Sequence, residues 1–324
     1  MDLEIIRLTH PFAERPKAGR QAMAIGFFDG VHAGHREVLR RAVLHARRER
    51  MTASVMTFDP HPREVLGKGG RIDYITPLPD KLEQFASCGL ERCYVLTFNE
   101  ALAALTPDEF VQRILFPLEV EHAVVGFNFT FGRHGSGNAD TLRACGGGRL
   151  GVTVVRPHLQ DGVKVSSTLI REMIHQGSME RVAELLGRPF SLTGTVVHGL
   201  GRGRTIGIPT ANLAPAERYV IPGRGVYAVD ARIDGGSERH RGVMNIGVKP
   251  TFADDPPEPT LEVHLIGFDG DLYGRTLKVE FLARIRDERK FPGADALIAQ
   301  IRRDIEEAGR VRRQPEKADA TGGC

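Results

Sequence analysis

Two histidines three residues apart, His32 and His35, stand in the stretch Ile25-Gly26-Phe27-Phe28-Asp29-Gly30-Val31-His32-Ala33-Gly34-His35. Imidazoles at that spacing on one turn can address the same anion. Gly26, Gly30 and Gly34 let a backbone come close to it. Apolar residues Ala22 to Phe28 precede the turn, and Val38, Leu39, Ala42, Val43 and Ala46 follow at helical spacing. The order strand, glycine turn, helix N-terminus makes a phosphate site, because unpaired N–H groups and the helix dipole both favour an anion. No Gly-Lys-Ser or Gly-Lys-Thr follows and the G-x-G-x-x-G spacing is absent, which excludes a P-loop and a dinucleotide fingerprint. The competing reading is a capped helix with two surface histidines.

Four further stretches carry usable chemistry, each beside a plainer reading. Asp59-Pro60-His61-Pro62 offers a rigid wall and an imidazole, or only a proline-rich turn. Gly126-Phe127-Asn128-Phe129-Thr130-Phe131-Gly132 sets rings around an amide that could hold a flat ligand, or supplies core phenylalanines. Ser166-Ser167-Thr168-Leu169-Ile170-Arg171 gives hydroxyls, N–H groups and a guanidinium to phosphates, or is an ordinary helix cap. Gly199 to Thr205, through Gly201, Gly203 and Arg204, can wrap phosphates or make a flexible connection.

Two kinds of periodicity must position these residues. Apolar strands at Ala53 to Phe58, Cys93 to Phe98, His122 to Phe127 and Gly151 to Val155 alternate with helices, including one over Pro77 to Ser87 and one capped by Thr106-Pro107-Asp108-Glu109. That pattern predicts a mostly parallel sheet with helices on both faces, its ligands beyond the carboxyl ends of the strands. Helices over Thr168 to His175 and Met179 to Leu186 lead to Gly187-Arg188-Pro189, where the pattern changes. Beyond it Tyr227, Val229, Ala231 and Ile233 alternate, as do Leu261, Val263 and Leu265, and Leu277, Val279, Phe281 and Ala283. Period two with turns at Asp234-Gly235-Gly236 and Asp269-Gly270 predicts a small antiparallel β-barrel, closed by a C-terminal helix from Ala294 to Ala308. The expected division is 1–186, 187–309 and a disordered tail over 310–324, which lacks apolar content.

The 324 residues carry a net charge of only +3, with 41% hydrophobic and 26% charged residues, so the class is globular and a dedicated nucleic-acid surface is disfavoured. Cys88, Cys93, Cys145 and Cys324 form no C-x-x-C pair, which argues against zinc or a disulfide framework and for a reducing cytoplasm. Met1 to Arg20 lacks the apolar core of a signal peptide and no stretch reaches the length of a membrane span. Surface composition marks no self-association patch.

Together the motifs resemble the prokaryotic bifunctional riboflavin kinase/FMN adenylyltransferase (FAD synthetase) family. Its G-x-F-D-G-V-H-x-G-H appears as Gly26 to His35, its F-[DE]-P-H-P as Phe58 to Pro62, and its S-S-T-x-I-R as Ser166 to Arg171. The G-x-[DN]-F-x-F-G motif is Gly126 to Gly132, with Asn128 where many members carry Asp; Lys164 stands where some place arginine. The kinase signature G-x-x-x-G-R-x-x-G-[FI]-P-T-A-N-L is matched from Gly199 to Leu213. Asn245-Ile246-Gly247 and Pro250-Thr251 also fit, with Lys249 for arginine.

The resemblance implies a Rossmann-like nucleotidyltransferase domain followed by a riboflavin kinase barrel, with ATP as co-substrate of both. In the kinase, Glu262 is the expected general base, since an alcohol must lose its proton as the bond to phosphorus forms. Thr210 and Asn212 are neutral oxygen ligands for Mg²⁺, and Gly199, Gly201, Gly203, Arg204 and Thr205 hold phosphates. Glu262 alternates with Leu261 and Val263, so without the family its plain reading is a solvent-facing strand carboxylate. In the adenylyltransferase the FMN phosphate is itself the nucleophile. His32, His35 and Arg171 serve its chemistry, and Gly26, Phe27, Asp29, Gly30, Gly34, Ser167 and Thr168 the ATP phosphates. The flavin set is Pro60, His61, Asn128, Phe131 and Arg286. Riboflavin, FMN and FAD are then substrates and products, and no nucleic acid or membrane is engaged. The departures at Asn128 and Lys164 motivate one alternative, a kinase whose first module only binds flavin. A flavin-responsive nucleic-acid regulator and a transferase for another acceptor fit less of the chain.

Overall fold

The structure, a computed structural model, describes residues 3–13, 18–67, 72–199, 207–248 and 259–313. The chain divides into two compact units, Met1–Ser166 and Ser167–Cys324.

The first unit is built on six strands, β1 (Glu4–Thr9), β2 (Gln21–Ile25), β3 (Thr52–Asp59), β4 (Arg92–Thr97), β5 (Val120–Gly126) and β6 (Gly151–Val155), all parallel in the order β1-β4-β3-β2-β5-β6. Strand β2 is buried along its whole length and β3 from Ala53 to Thr57, which is why both read as mainly apolar rather than alternating. Helix α1 (Ala33–Glu49) lays Val38, Leu39, Ala42, Val43 and Ala46 on one face of the sheet. The short α2 (Pro62–Val65) and then α3 (Leu78–Ser87) follow β3, and α3 adds Phe85 to the same layer. On the other face lie α4 (Glu100–Ala103), α5 (Pro107–Phe110) with a π-helical turn over Val111–Leu115, and α6 (Ala139–Gly146). The Thr106 capping box forms as expected, with reciprocal bonds to Glu109. A two-stranded hairpin, β7 (Leu159–Gln160) and β8 (Val163–Lys164), ends the unit.

Two features differ from the sequence reading. The expected strand over Ala22 to Phe28 stops at Ile25, because Phe28 and Val31 adopt positive φ (57° and 41°), which no ladder accepts. Strand β1 was not anticipated. Among the described residues it is an edge strand paired with β4, and its mixed residues need bury little.

In the second unit α7 (Ser167–Gln176) and α8 (Met179–Leu186) precede six antiparallel strands: β9 (Phe190–Val197), β10 (Ala211–Pro215), β11 (Gly225–Ile233), β12 (His240–Val248), β13 (Pro259–Leu265) and β14 (Thr276–Arg286). These close into a barrel in the order β10-β13-β12-β11-β14-β9. Helix α8 packs on β14 and β9. The division therefore falls before α7, whereas the change of periodicity lies near residue 187. Inside the barrel the rings of Phe190, Phe281 and Tyr227 meet at 5.5–5.8 Å. Helix α9 (Ala294–Arg310) covers Val226, Ala228, Val243 and Leu282 on the outer wall, so β11 is buried on both faces where alternation predicts one.

The start of the expected disordered tail is anchored. Arg313 pairs with Glu280 at 2.6 Å and Asp230 at 3.5 Å, and Arg241 donates to the carbonyls of Ala308 and Val311. Two buried carboxylates hold it where apolar content is lacking. Residues 314–324 with Cys324, the loop residues Gly201, Gly203, Arg204 and Thr205, and Lys249, Pro250 and Thr251 lie outside the described residues.

Candidate active sites

In the first unit the loop from Gly26 to Gly34 leaves the carboxyl end of β2 and enters α1. His32 is the N-cap: its Nδ1 accepts the backbone N–H of His35 at 3.3 Å. The two rings stack at 3.6 Å with 17° between planes. A Cβ on Gly34 would press on the His32 ring, which accounts for that glycine. Phe28 sets its ring edge-on to His35 and Phe85, and it folds back over Gly26 closely enough to exclude any side chain there. His35 Nδ1 is enclosed and meets no hydrogen-bond partner among the described residues. Burial, followed by the neighbouring His32 and Lys81, holds the His35 imidazole well below its ordinary pKa, so it is neutral at pH 7. The pair thus sits at the positive end of α1 with backbone donors around it, an arrangement for binding anions.

Of the other residues expected here, Asp29 is buried and accepts the N–H groups of Ile75 and Thr76 at 3.0 and 3.1 Å, a contact that ties down the loop. Phe27 packs against His61 at 4.2 Å. Ser167 begins α7, with Thr168 and Arg171 in its first turns, and these belong to the second unit.

A cavity of about 450 Å³ opens among Phe58, Pro62, Phe98, Phe110, Phe129 and Phe131. Phe131 is buried and stacks on Phe129 at 5.4 Å. Pro60 follows Asp59 through a cis peptide, and His61 caps α2 by accepting the Arg63 N–H at 3.0 Å. Asn128 is exposed and does not line this cavity; Lys164 lies over the Phe127 ring at 4.5 Å. Sequence reasoning missed Lys81, because a lone lysine on an amphipathic helix carries no signal of its own.

In the second unit the barrel register aligns three polar side chains. Glu262 on β13 lies opposite Asn212 on β10 and opposite Asn245 on β12. All three alternate with buried residues, so they form one row on the outer wall. A Cβ on Gly199 would collide with the Asn212 amide, so the start of the glycine loop closes on this row. Thr210 and Pro209 line a cavity of about 470 Å³ with Val263, Leu265, Phe268 and Tyr273. His264 fixes the Pro209 carbonyl at 2.8 Å, and His198 stacks on Tyr273 at 4.0 Å. Arg286, expected at the flavin, is bound through two nitrogens by the buried Asp304 at 2.8–3.0 Å. The aromatic wall of Phe268 and Tyr273 was missed, since both follow β13 in a stretch read only as a turn. Among the described residues no group of three or more His, Cys, Asp or Glu side chains could hold a metal, and no helix is long and apolar enough to cross a membrane.

Comparison with known proteins agrees with both halves. The FAD synthetase family model matches residues 14–169 and the riboflavin kinase model residues 186–312. Bifunctional riboflavin kinase/FMN adenylyltransferases are similar along nearly the whole chain. That of Bacillus subtilis is 43% identical over 94% of this chain and 97% of its own. That of Escherichia coli K12 is 37% identical over 93% and 96%. A crystal structure described as a macrolide-efflux protein from Streptococcus pneumoniae superposes with a TM-score of 0.85 at 33% identity, covering 95% of this chain and all of that one. With a histidine pair at a helix N-terminus in one unit and an Asn-Glu-Asn row on a barrel in the other, the chain belongs to the family of bifunctional riboflavin kinase/FMN adenylyltransferases.

Proposed function

We propose that the second unit phosphorylates riboflavin and the first joins the FMN so formed to AMP. The observation that carries this reading is the presence, on one chain, of a carboxylate flanked by two amides on a barrel wall and a stacked histidine pair at a helix N-terminus.

In the kinase the ribityl 5′-hydroxyl of riboflavin attacks the γ-phosphorus of ATP. Glu262 takes the hydroxyl proton, the new P–O bond forms, and ADP leaves with the electrons of the broken bond. Asn212 and Asn245 stand opposite Glu262 on the two neighbouring strands. The donor set beside it fits Mg²⁺: neutral side-chain oxygens from Thr210 and Asn212 leave most positions to phosphate and water, as this hard cation prefers. When bound, the ion offsets phosphate charge. The cavity between Thr210 and Tyr273 has the aromatic walls suited to a nucleobase.

In the adenylyltransferase a phosphate oxygen of FMN attacks the α-phosphorus of ATP, and pyrophosphate leaves. No base is needed, because the nucleophile is already ionised. The demand is to hold two anions together and stabilise charge on the α-phosphate and the leaving group. His32, His35 and the N–H groups of the loop serve that demand; Ser167, Thr168 and Arg171 carry the same donor chemistry at the start of α7. The apolar cavity around Phe131 takes the flavin ring, with Pro60 and His61 at its approach; Asn128, exposed and outside that lining, is left to the flavin phosphate side. The reading in which the first module only binds flavin gains nothing from the relatives, whose names carry both activities. The cytosol is the proposed compartment, supported by the free thiols of Cys88, Cys93 and Cys145.

The test is direct. The purified chain is incubated with riboflavin, ATP and Mg²⁺, and FMN and FAD are separated by chromatography. Both should appear in sequence; FMN alone would remove the first-unit assignment, and neither would remove both.

A further inference from the structure

Beneath the histidine loop lies a buried ammonium that neither half-reaction uses. Lys81 of α3 is only 2% exposed. Its Nζ donates to the carbonyl of Phe27 at 2.9 Å and stands 3.8 Å from the centre of the Phe27 ring. The same carbonyl accepts the Thr57 hydroxyl of β3 at 3.0 Å. Two donors, one charged, therefore draw a single loop carbonyl into the protein.

The consequence follows from peptide geometry. In a trans peptide the C=O of one residue and the N–H of the next point in opposite directions. With the Phe27 carbonyl held inward, the Phe28 N–H is turned away from Lys81. That N–H has no acceptor among the described residues, although Phe28 is 5% exposed. Phe28 also adopts a left-handed conformation at φ 57°, which is strained for a bulky residue and persists only when its surroundings enforce it. The Lys81 and Thr57 bonds to the preceding carbonyl are such an enforcement. A donor without a protein acceptor, in the loop that carries His32 and His35, is available to an anion.

We propose that Lys81 is a positioning residue of FMN adenylylation: by holding the Phe27 carbonyl inward it turns the Phe28 N–H toward the triphosphate and sets a buried positive charge beneath it. The inference rests on the reading of the histidine loop as the ATP site. Asp29 and Asp59 face the ammonium and favour its charge, while the Cys93 thiol and His35, both neutral, lie close by. Burial nevertheless brings the Lys81 pKa down to about 8, and the Cys93 thiol is pushed up to about 12. Between pH 7 and about 9.5 Lys81 is thus the group in this cluster that changes charge.

The experiment measures kcat/KM for ATP in FAD formation from supplied FMN between pH 6.5 and 9.5, using the full chain, Lys81→Met and Thr57→Val. FMN formation from riboflavin is followed as a control. The wild type should lose activity as pH rises through about 8. Lys81→Met should lower kcat/KM about 10–100-fold, as for a lost hydrogen bond to a charged group, and abolish that alkaline limb while forming FMN normally. Thr57→Val should cost severalfold and keep the limb. Wild-type activity and an unchanged limb in Lys81→Met would overturn the proposal. Should that variant not fold, Thr57→Val at full activity, or a wild type flat through pH 8, overturns it equally. If His35→Ala also left FAD formation untouched, the ATP-site reading itself would fall; if only Lys81→Met were silent, the role of Lys81 alone would.

Discussion

His35 gives its backbone N–H to Nδ1 of His32 at 3.3 Å while its ring stacks on the His32 ring at 3.6 Å. The bond fixes chemistry as well as shape. A neutral His32 that accepts at Nδ1 carries its proton on Nε2, and so can donate it to an anion. On the proposed reading, capping and anion binding fall on one side chain, which would account for a histidine where Ser, Thr, Asp or Asn is the usual N-cap.

The two roles of His32 separate on mutation. His32→Asn keeps a capping oxygen but removes the imidazole, and His35→Ala removes the second ring. Each should lower the rate of FAD formation by about 10²–10³, the usual cost of one preorganised donor to transition-state charge, while FMN formation continues unchanged. Loss of both products in a folded variant would contradict two separate sites.

Acid should weaken the fold through two histidines. Burial holds His35 well below 6.5, and His122, stacked on His45 at 3.5 Å, sits at about 4, again chiefly through burial. A folded-state pKa below the unfolded one means that the unfolded chain binds more protons in the interval. Stability is therefore fully present above 6.5 and declines as pH falls toward 4. The midpoint of thermal unfolding should drop across that window, and His122→Gln should flatten the drop. An identical slope in the variant would exclude His122 as a cause.

Much of the fold could be read from the sequence because burial on one or both faces leaves a period. The strands from Cys93, His122 and Gly151, the Thr106 box and the final helix announce themselves in this way. Edge strand β1 and the polar anchoring of Arg313 leave none, since their stability comes from partners distant in sequence. The same limit governs the sites. The stretches that carry His32 and Asn212 are legible as motifs, but Glu262 reads as a plain strand carboxylate without the family, and its alignment between two asparagines depends on barrel register. Lys81 becomes visible only through the carbonyl it holds.

Arg286 was expected to face flavin, yet it lies against Asp304, a carboxylate only 1% exposed. A buried pair broken from one side leaves an uncompensated charge, so Asp304→Ala should destabilise the second unit by about 3–5 kcal/mol. Denaturant unfolding measures this. Arg286→Ala should show the same loss of stability. A raised KM for riboflavin with stability intact would instead restore a flavin contact.

The Asn212-Glu262-Asn245 row makes the sharpest demand on the kinase. If Glu262 accepts the ribityl proton, Glu262→Gln retains size and hydrogen bonding but cannot be the base, and FMN formation should fall about 10²–10⁴-fold with the riboflavin KM little changed. FAD formation from supplied FMN should be untouched. Gly199→Ala acts from the side: its methyl would displace the Asn212 amide, so it should lower kcat for FMN formation while Glu262 stays in place. A carboxylate that were merely solvated on the barrel wall would tolerate the first change, and an open loop the second. Steady-state kinetics of the two variants on riboflavin and on FMN therefore separates a working base from a bystander.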